Sequence, residues 1–242
     1  MALDVRSVAR FAAAPTFESA NIPLDEIRAR VYELPTPTNV VPVYQTGPES
    51  DAAVDLLSEL GRMSEPVLPR SCPTSPDRFR LWEAPPFLVE RVGGLVPARA
   101  LCLACGVGRE AVHLASLGWE VTAIDWLPDA LDRGKLLESR YMPSSLHPIE
   151  WRLHDLRRPL KNIGGRFELV CELFAWHPLS PQHFSQALLA DGIGLWEGFA
   201  NQPGVDESWP SLHVGESSTG YREDRPTKRL ILHPDKILET SD

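Results

Sequence analysis

Two glycines and an acid are spaced in this chain in a way that suits the binding of a nucleoside. An apolar run, Leu101–Leu103, leads into Gly106 and Gly108, and a second apolar run, Val121–Ile124, ends at Asp125. Because glycines carry no Cβ, they let the backbone approach a ligand closely, and an acid at the end of a strand can accept hydrogen bonds from ribose hydroxyls. The spacing predicts a strand, a glycine turn, a helix and a second strand in an α/β sheet.

The glycine turn alone does not identify the nucleoside. A dinucleotide-binding loop has the pattern G-x-G-x-x-G, in which the third glycine packs the helix against the strand. Ala111 stands at the third position, and the pattern tolerates alanine there. On spacing alone, a Rossmann dehydrogenase therefore stays open as an alternative.

The longer stretch Leu103–Leu131 resembles motif I through motif II of the class I S-adenosylmethionine-dependent methyltransferases. The resemblance includes the helix after the turn, a stop at Gly118, the second strand and Asp125. It implies a Rossmann-like α/β methyltransferase sheet with S-adenosyl-L-methionine as the cofactor. In that family the acid binds both ribose hydroxyls, and the residue after it, here Trp126, packs against adenine.

The same resemblance extends the candidate site to two later segments. Asp155 matches the acid that binds the adenine amino group, although a loop acid that caps a turn is the alternative. Cys171 lies in Phe167–Phe174, which matches the family's fourth strand, whose carboxyl end faces methyl donor and acceptor. The cofactor-binding residues that the resemblance implies are Ala104, Cys105, Gly106, Gly108, Asp125, Trp126, Asp155, Leu156 and Cys171. It assigns no catalytic residue.

Motif I departs from the family at Cys102. Many relatives have an aspartate there, which orients the loop and helps to bind the methionine amine. A thiol offers neither a charge nor a strong acceptor. Glu110 could replace that acid only if its helix turned it inward, which its position does not favour. We therefore expect weaker cofactor binding than the motif suggests.

The end of the chain is expected to lack part of the family's sheet. The pattern predicts a helix over 182–190, a turn at Asp191–Gly192 and a fifth strand over Ile193–Phe199. Arg229–Leu238 resembles the entry into the family's final helix, which leaves no sequence for the antiparallel strands that normally close the sheet. We therefore expect a truncated sheet with an exposed edge.

The residues after the central strand argue against some classes of methyl acceptor. Enzymes that methylate exocyclic base nitrogens or glutamine amides carry [DNS]-P-P-[YF] there, whereas this chain has Ala175–Pro178. Together with the formal net charge of −9, this argues against nucleic acid as a partner. His177 is either a general base or a surface histidine. We expect a small-molecule acceptor, such as a thiol or another soft nucleophile, with a protein side chain as the alternative.

Residues 1–63 resemble a rhodanese-like domain. The resemblance rests on the D-V-R-S start at Asp4, the N-I-P-L-D-E segment from Asn21, which is expected to open a helix, the strand Asn39–Tyr44 and the loop after it. A working sulfurtransferase begins that loop with the cysteine that carries the persulfide, and Gln45 stands in its place. An amide cannot carry transferable sulfur, so we expect an inactive domain that serves as a scaffold, a dimer surface or a ligand sensor.

Composition and the remaining segments set the outer limits. The chain has 242 residues and is 43% hydrophobic, which suits a globular protein with a proline-rich linker over 64–78 and a methyltransferase-like domain over 79–242. No apolar run approaches the ~20 residues of a membrane span, and the start does not have the layout of a signal peptide. The C-x-x-C of Cys102 and Cys105 has no second pair to complete a zinc site. We expect a cytoplasmic, reduced protein with no metal and no membrane partner, and we keep a homodimer open.

Three functions follow from these patterns. The first is S-adenosylmethionine-dependent methyl transfer, which the retained Gly106 and Asp125 favour. The alternative is a catalytically degenerate two-domain binding or regulatory protein, which Gln45 and Cys102 favour. An active sulfurtransferase ranks last, because no cysteine precedes Cys72.

Overall fold

The computed structural model of the chain has two compact units, Met1–Glu83 and Ala84–Asp242. It describes residues 1–70, 79–142, 147–161, 163–175, 182–201, 209, 211–223 and 225–235. No helix within these ranges is long and apolar enough to cross a membrane.

The smaller unit is a four-stranded parallel sheet in the order β2-β1-β3-β4. Its elements are β1 (Ala2–Asp4), α1 (Val8–Ala13), β2 (Ser19–Asn21), β3 (Val41–Tyr44), α2 (Pro48–Glu59) and β4 (Ser64–Val67). Two short 3-10 turns, Leu24–Glu26 and Val31–Glu33, connect β2 to β3.

A buried ion pair fixes the turn after β1. Asp4 is fully buried, and its carboxylate accepts hydrogen bonds from Arg6 Nε at 3.0 Å, Arg6 Nη2 at 2.6 Å and the Thr16 hydroxyl at 2.8 Å. Burying a carboxylate without partners would be costly, so the D-V-R sequence supplies its cation two residues later. Helix α1 begins directly afterwards, where the Ser7 hydroxyl accepts a hydrogen bond from the Arg10 N–H.

Two predictions for the first 78 residues need correction. The helix expected to open after Asn21 is a single 3-10 turn, because Ile22 and Leu24 still donate their N–H groups to the carbonyls of Asp4 and Val5. The linker expected over 64–78 begins instead with strand β4, which pairs in parallel with all four residues of β3. Residues 71–78 of that predicted linker lie outside the described residues.

The larger unit is a seven-stranded sheet in the order β10-β11-β9-β8-β5-β6-β7. The strands β5 to β9 run parallel, and β11 is antiparallel to both β9 and β10. The strands are β5 (Arg99–Leu103), β6 (Glu120–Asp125), β7 (Glu150–Leu153), β8 (Phe167–Leu173), β9 (Leu188–Phe199), β10 (Leu212–Arg222) and β11 (Arg225–Pro234). The helices are α3 (Pro86–Val92), α4 (Arg109–Ser116), α5 (Pro128–Tyr141) and α6 (Gln182–Ala187).

The prediction of a truncated sheet is wrong. Residues 229–234 of the segment expected to enter a final helix lie in β11, and β10 pairs with that strand, so the sheet is closed by an antiparallel pair. Residues 236–238 of that segment lie outside the described residues. Leu230 and Leu232 of β11 are buried in one apolar cluster with Trp196 of β9, and this burial favours a strand over a helix. Strand β9 begins at Leu188, so α6 ends earlier than predicted. The pairing of β9 with β8 shifts register between Leu188 and Ile193, where the turn at Asp191–Gly192 was predicted.

One tryptophan holds α5 against the sheet and leaves no room for a side chain beneath it. The Trp151 indole Nε1 donates a hydrogen bond to Glu138 of α5 at 2.8 Å. A Cβ built on Gly134, also in α5, would lie 2.6 Å from two carbons of the Trp151 ring. Glycine at position 134 is therefore a packing requirement within a helix that would otherwise favour alanine.

We expect Gly134→Ala to lower the free energy of unfolding by about 1–3 kcal/mol, because the overlap with Trp151 outweighs the better helix propensity of alanine. Urea denaturation measures the change. In a Trp151→Ala background the same substitution should stabilise the protein by up to about 1 kcal/mol. Destabilisation of equal size in both backgrounds would show that the indole is not the cause.

Candidate functional site

The candidate site lies at the carboxyl edge of the five parallel strands. The turn after β5, the acid that ends β6 and the exits of β7 and β8 all meet at this edge, because β5 lies between β6 and β8. In open α/β sheets, ligands bind outside the carboxyl ends of the strands. The topology therefore brings together the residues that the sequence singled out over a span of about seventy positions.

The turn after β5 is held in left-handed backbone conformations. Ala104 has φ 51°, Gly106 φ 53° and Gly108 φ 68°. A Cβ built on Gly106 would meet no atom within 4 Å, whereas one on Gly108 would lie 2.3 Å from the Trp151 ring. Gly106 thus borders open space that a ligand could enter, and Gly108 is required by packing as well as by its backbone angle.

Asp125 is fixed by the backbone on both sides of it. Its Oδ2 accepts a hydrogen bond from the Gly106 N–H at 2.7 Å, and its Oδ1 accepts one from the Leu127 N–H at 2.9 Å. The residue is 5% exposed. Each carboxylate oxygen can accept a second hydrogen bond, so both remain able to bind hydroxyl groups.

The segments after β6 and β7 hold the residues expected at the adenine end. Trp126 is 60% exposed, and the Arg157 guanidinium lies 5.9 Å from the centre of its ring. The Asp155 carboxylate accepts hydrogen bonds from Arg157 Nε at 2.9 Å, Nη2 at 2.8 Å and the backbone N–H at 3.0 Å. These bonds lower the pKa of Asp155 to about 2, so its carboxylate is ionised and paired with Arg157.

The Leu156 side chain points into the apolar core of the larger unit, which leaves only its backbone for a ligand. Cys171 is also buried, and its Sγ lies 3.5 Å from Cys102 Sγ on the neighbouring strand. Burial raises the pKa of the Cys105 thiol well above its ordinary value. Cys102, Cys105 and Cys171 are all buried, and none of them forms a disulfide bond.

Glu110 stands at the start of α4, directly after the turn that follows β5. It lies in the first turn of α4, close enough to Asp125, Cys102 and Cys105 to interact electrostatically with each. Burial raises the pKa of Glu110 to about 7. Its own backbone N–H and the charges of Arg109 and Arg222 lower the pKa, but they offset burial only in part.

Four further residues at the same edge were not found from the sequence. Phe174 follows β8, Phe199 ends β9, and Arg222 and Arg225 end β10 and begin β11. The arginines were missed because the two strands that carry them were not predicted; the short apolar run Leu230–Leu232 was the available signal. His177, the other candidate near this edge, lies outside the described residues.

The loop of the smaller unit that begins at Gln45 is closed by its own side chains. The Ser50 hydroxyl donates to the Tyr44 carbonyl at 2.8 Å and accepts the Thr46 N–H at 3.1 Å. Glu49 forms an ion pair with Arg10. Its own backbone N–H, and then Arg10, lower the pKa of Glu49. The Glu49 carboxylate, paired with Arg10, therefore lies beside the loop that begins at Gln45.

Comparisons with known proteins concern the larger unit. The family model described as tellurite resistance protein TehB matches residues 77–168, which is less than half of the chain. The crystal structure of TehB from Haemophilus influenzae is similar, with a TM-score of 0.51 and 15% sequence identity over 61% of this chain and 61% of that one. The larger unit has a TehB-like methyltransferase fold.

Other matches to this methyltransferase fold are of the same kind. A chain from echinomycin biosynthesis, studied for the conversion of a disulfide bond into a thioacetal group, has a TM-score of 0.50 and 15% identity over 62% of this chain and 80% of that one. A TehB-like S-adenosylmethionine-dependent methyltransferase from Corynebacterium glutamicum has a TM-score of 0.46 and 16% identity over 61% of this chain and 85% of that one. No curated protein matches the chain significantly.

Within the described ranges, no group of three or more His, Cys, Asp or Glu side chains is placed to hold a metal ion. The side chains described at the edge include hydrogen-bonding carboxylates, aromatic rings and guanidinium groups.

Glu110 should make the stability of the methyltransferase fold fall as pH rises. With a folded pKa of about 7 against an ordinary value of 4.5, the folded state keeps a proton that the unfolded state releases between these values. The free energy of unfolding should therefore decline between about pH 4.5 and 7, by on the order of 2 kcal/mol.

Urea denaturation at pH 5, 6, 7 and 8 measures this decline. The neutral variant Glu110→Gln should lack it, while Glu90→Gln, on the exposed face of α3, should keep it. The same pH slope in the wild type and in Glu110→Gln would contradict the assignment.

Proposed function

We propose that the larger unit binds S-adenosyl-L-methionine and transfers its methyl group to a small-molecule acceptor. The observation that carries this proposal is the open space over Gly106 beside the fixed carboxylate of Asp125. A nucleoside needs a backbone that it can approach and an acid that can accept two ribose hydroxyls, and the site offers both. The TehB-like methyltransferase fold supports the same cofactor.

The residues around this space fit the rest of the cofactor. The exposed indole of Trp126 offers a flat face for adenine, and the backbone next to Leu156 offers hydrogen bonds to the adenine edge. Glu110, on the other side of Asp125, offers a carboxylate to the ammonium group of the methionine part. Glu110 thus supplies the charge that Cys102 lacks. When bound, the cofactor supplies a methyl group already activated on a sulfonium.

Methyl transfer from such a donor is an in-line displacement that depends mainly on alignment and on the exclusion of water, together worth up to roughly 7–11 kcal/mol. It needs no dedicated nucleophile on the protein. We propose a thiol or another soft nucleophile as the acceptor, with a protein side chain as the next choice. The tellurite-resistance name of the matched family and the sulfur chemistry of the echinomycin protein are in keeping with a soft acceptor.

For the smaller unit we propose a rhodanese-like domain without sulfur transfer. Its parallel sheet, and the loop between β3 and α2, support the resemblance. Gln45 provides no sulfur nucleophile, and the Glu49 carboxylate, paired with Arg10, repels a thiosulfate or persulfide at the same loop.

A degenerate binding protein is the second candidate, and one observation favours it. Asp155, which in the family receives the adenine amino group, already accepts three hydrogen bonds from Arg157. Adenine would have to share that carboxylate or rely on the backbone, which would weaken cofactor binding.

Calorimetric titration with S-adenosylmethionine and S-adenosylhomocysteine tests the proposal. We expect binding by the wild type and at least about a tenfold loss in Asp125→Ala, because two hydrogen bonds from hydroxyls to a charged acceptor disappear. Asp125→Asn, which keeps one oxygen acceptor, should fall between the two. Asp129→Ala, an exposed acid in α5, is the matched control and should bind like the wild type. No heat from a folded wild type with either ligand would overturn the proposal.

The pH dependence of the same titration tests the role of Glu110. An ammonium group favours the ionised carboxylate, so below pH 7 a proton must leave Glu110 when the ligand binds. The affinity for S-adenosylhomocysteine should therefore rise between pH 5.5 and 7.5 in the wild type. In Glu110→Gln it should be nearly flat and about tenfold weaker at pH 8. A wild-type affinity that does not change with pH would exclude Glu110 from the site.

A further inference from the structure

Two arginines from the last hairpin lie over two aromatic rings at the edge that holds the candidate cofactor site. The Arg222 guanidinium is 4.0 Å from the centre of the Phe174 ring, and the Arg225 guanidinium is 3.7 Å from the centre of the Phe199 ring. The rings themselves are 5.5 Å apart and inclined at 55°. Arg222 and Arg225 face each other as the last pair of the β10–β11 ladder. The four side chains therefore form one cluster, which we call the hairpin cluster.

The backbone holds the hairpin cluster in place. Phe174 has a left-handed φ of 61°, and its N–H donates to the Glu197 carbonyl of β9 at 2.7 Å. Phe199 is paired with Thr227 of β11. A bulky residue in the left-handed region costs about 1 kcal/mol or more, and here the ladder to β9 maintains it. The two rings are thus fixed at the ends of adjacent parallel strands.

The hairpin cluster lies on the side of the cofactor site where an acceptor would enter, an argument that rests on the proposed methyl transfer. The adenine end is assigned to β6 and β7, through Trp126 and Asp155, so the methionine end must extend toward β5 and β8. Strand β8 lies next to β5 on the side opposite β6, and Phe174 comes directly after β8. Arg222 and Arg225 stack on the rings that follow β8 and end β9, so the hairpin cluster lies at the part of the edge toward which the methionine end would extend.

The two guanidinium groups are available to a ligand. Among the described residues, neither Arg222 nor Arg225 has a carboxylate within salt-bridge distance. Stacking on a ring occupies one face of a guanidinium and leaves its N–H groups, which lie in the plane, free to donate. Paired N–H donors of this kind match a carboxylate, and the ring edges offer apolar contact to the carbon frame that carries it.

We propose that the hairpin cluster is the acceptor subsite and that it selects small acceptors bearing a carboxylate. Arg222 and Arg225 bind the carboxylate, and Phe174 and Phe199 contact the adjoining carbon atoms. In the transfer, the acceptor sulfur or other soft nucleophile forms a bond to the methyl carbon while the carbon–sulfonium bond breaks. The bonding pair returns to the donor sulfur, and the proton of a thiol acceptor leaves to water.

The test compares two thiol probes that differ in charge, 2-mercaptobenzoate and 2-mercaptobenzamide. Binding of each probe to the full chain is measured by saturation-transfer NMR titration, and its methylation is measured by the formation of S-adenosylhomocysteine at pH 8. The wild type should bind the carboxylate probe at least about tenfold more tightly than the amide, as expected for charge-assisted hydrogen bonds. In the double variant Arg222→Gln/Arg225→Gln this ratio should fall close to one.

Two controls separate this proposal from the proposed function and from unfolding. Arg133→Gln, an exposed arginine of α5 that pairs with Asp129, should keep the wild-type ratio. The double variant should keep the far-UV circular dichroism of the wild type, so that loss of the ratio is not due to unfolding. Equal binding of both probes by the wild type, or a ratio that persists in the double variant, would overturn the subsite. Absence of cofactor binding would overturn the proposed function instead, since probe binding is measured separately.

Discussion

The carboxylate of Asp125 joins the two turns on which the rest of the candidate site depends. It ends β6, and its oxygens accept the N–H groups of Gly106, in the turn after β5, and of Leu127, in the turn after its own strand. Because β5 and β6 are adjacent and parallel, one buried side chain can reach both turns. The left-handed residues of the first turn then leave the space over Gly106 open. Binding to ribose would add acceptor bonds to a carboxylate that the fold has already oriented, which lowers the cost of ordering the site.

The sequence predicts a part of the molecule well where its contacts join residues close in sequence, and poorly where they join distant residues. The segment from Leu101 to Asp125 forms a strand, turn, helix and strand in which the two strands pair with each other, so its pattern predicts it correctly. The final hairpin depends on pairing with β9. Its buried residues Leu230 and Leu232 are too few to show a helical or a strand periodicity in the sequence. Local periodicity cannot distinguish a helix entry from a strand whose partner is thirty residues away, and the sheet therefore appeared truncated from the sequence.

The sequence predicted which kinds of side chain lie at the candidate site, but not which residues they pair with. An acid at position 155 was expected, but its pairing with Arg157, only two residues later, determines what that acid can still bind. Cys102 stands where the family has an acid, and the pattern alone did not indicate that Glu110, in the first turn of α4, acts electrostatically on this thiol. In both cases the direction of the side chain decides which charged groups the carboxylate meets. Sequence spacing fixes the strand or helix on which a residue lies, whereas tertiary contacts fix its direction.

The charges at this edge are arranged in two halves, although the chain as a whole carries a formal net charge of −9. Asp125 and Glu110 lie on one side, and Arg222 and Arg225 lie on the other. Under the proposed function, the acidic half attracts a cationic donor more strongly than its neutral product, while the basic half attracts an anionic acceptor to an otherwise acidic surface. Transfer of the methyl group removes the positive charge that the acidic half had bound. The same charges that assemble donor and acceptor would therefore favour release of the spent cofactor.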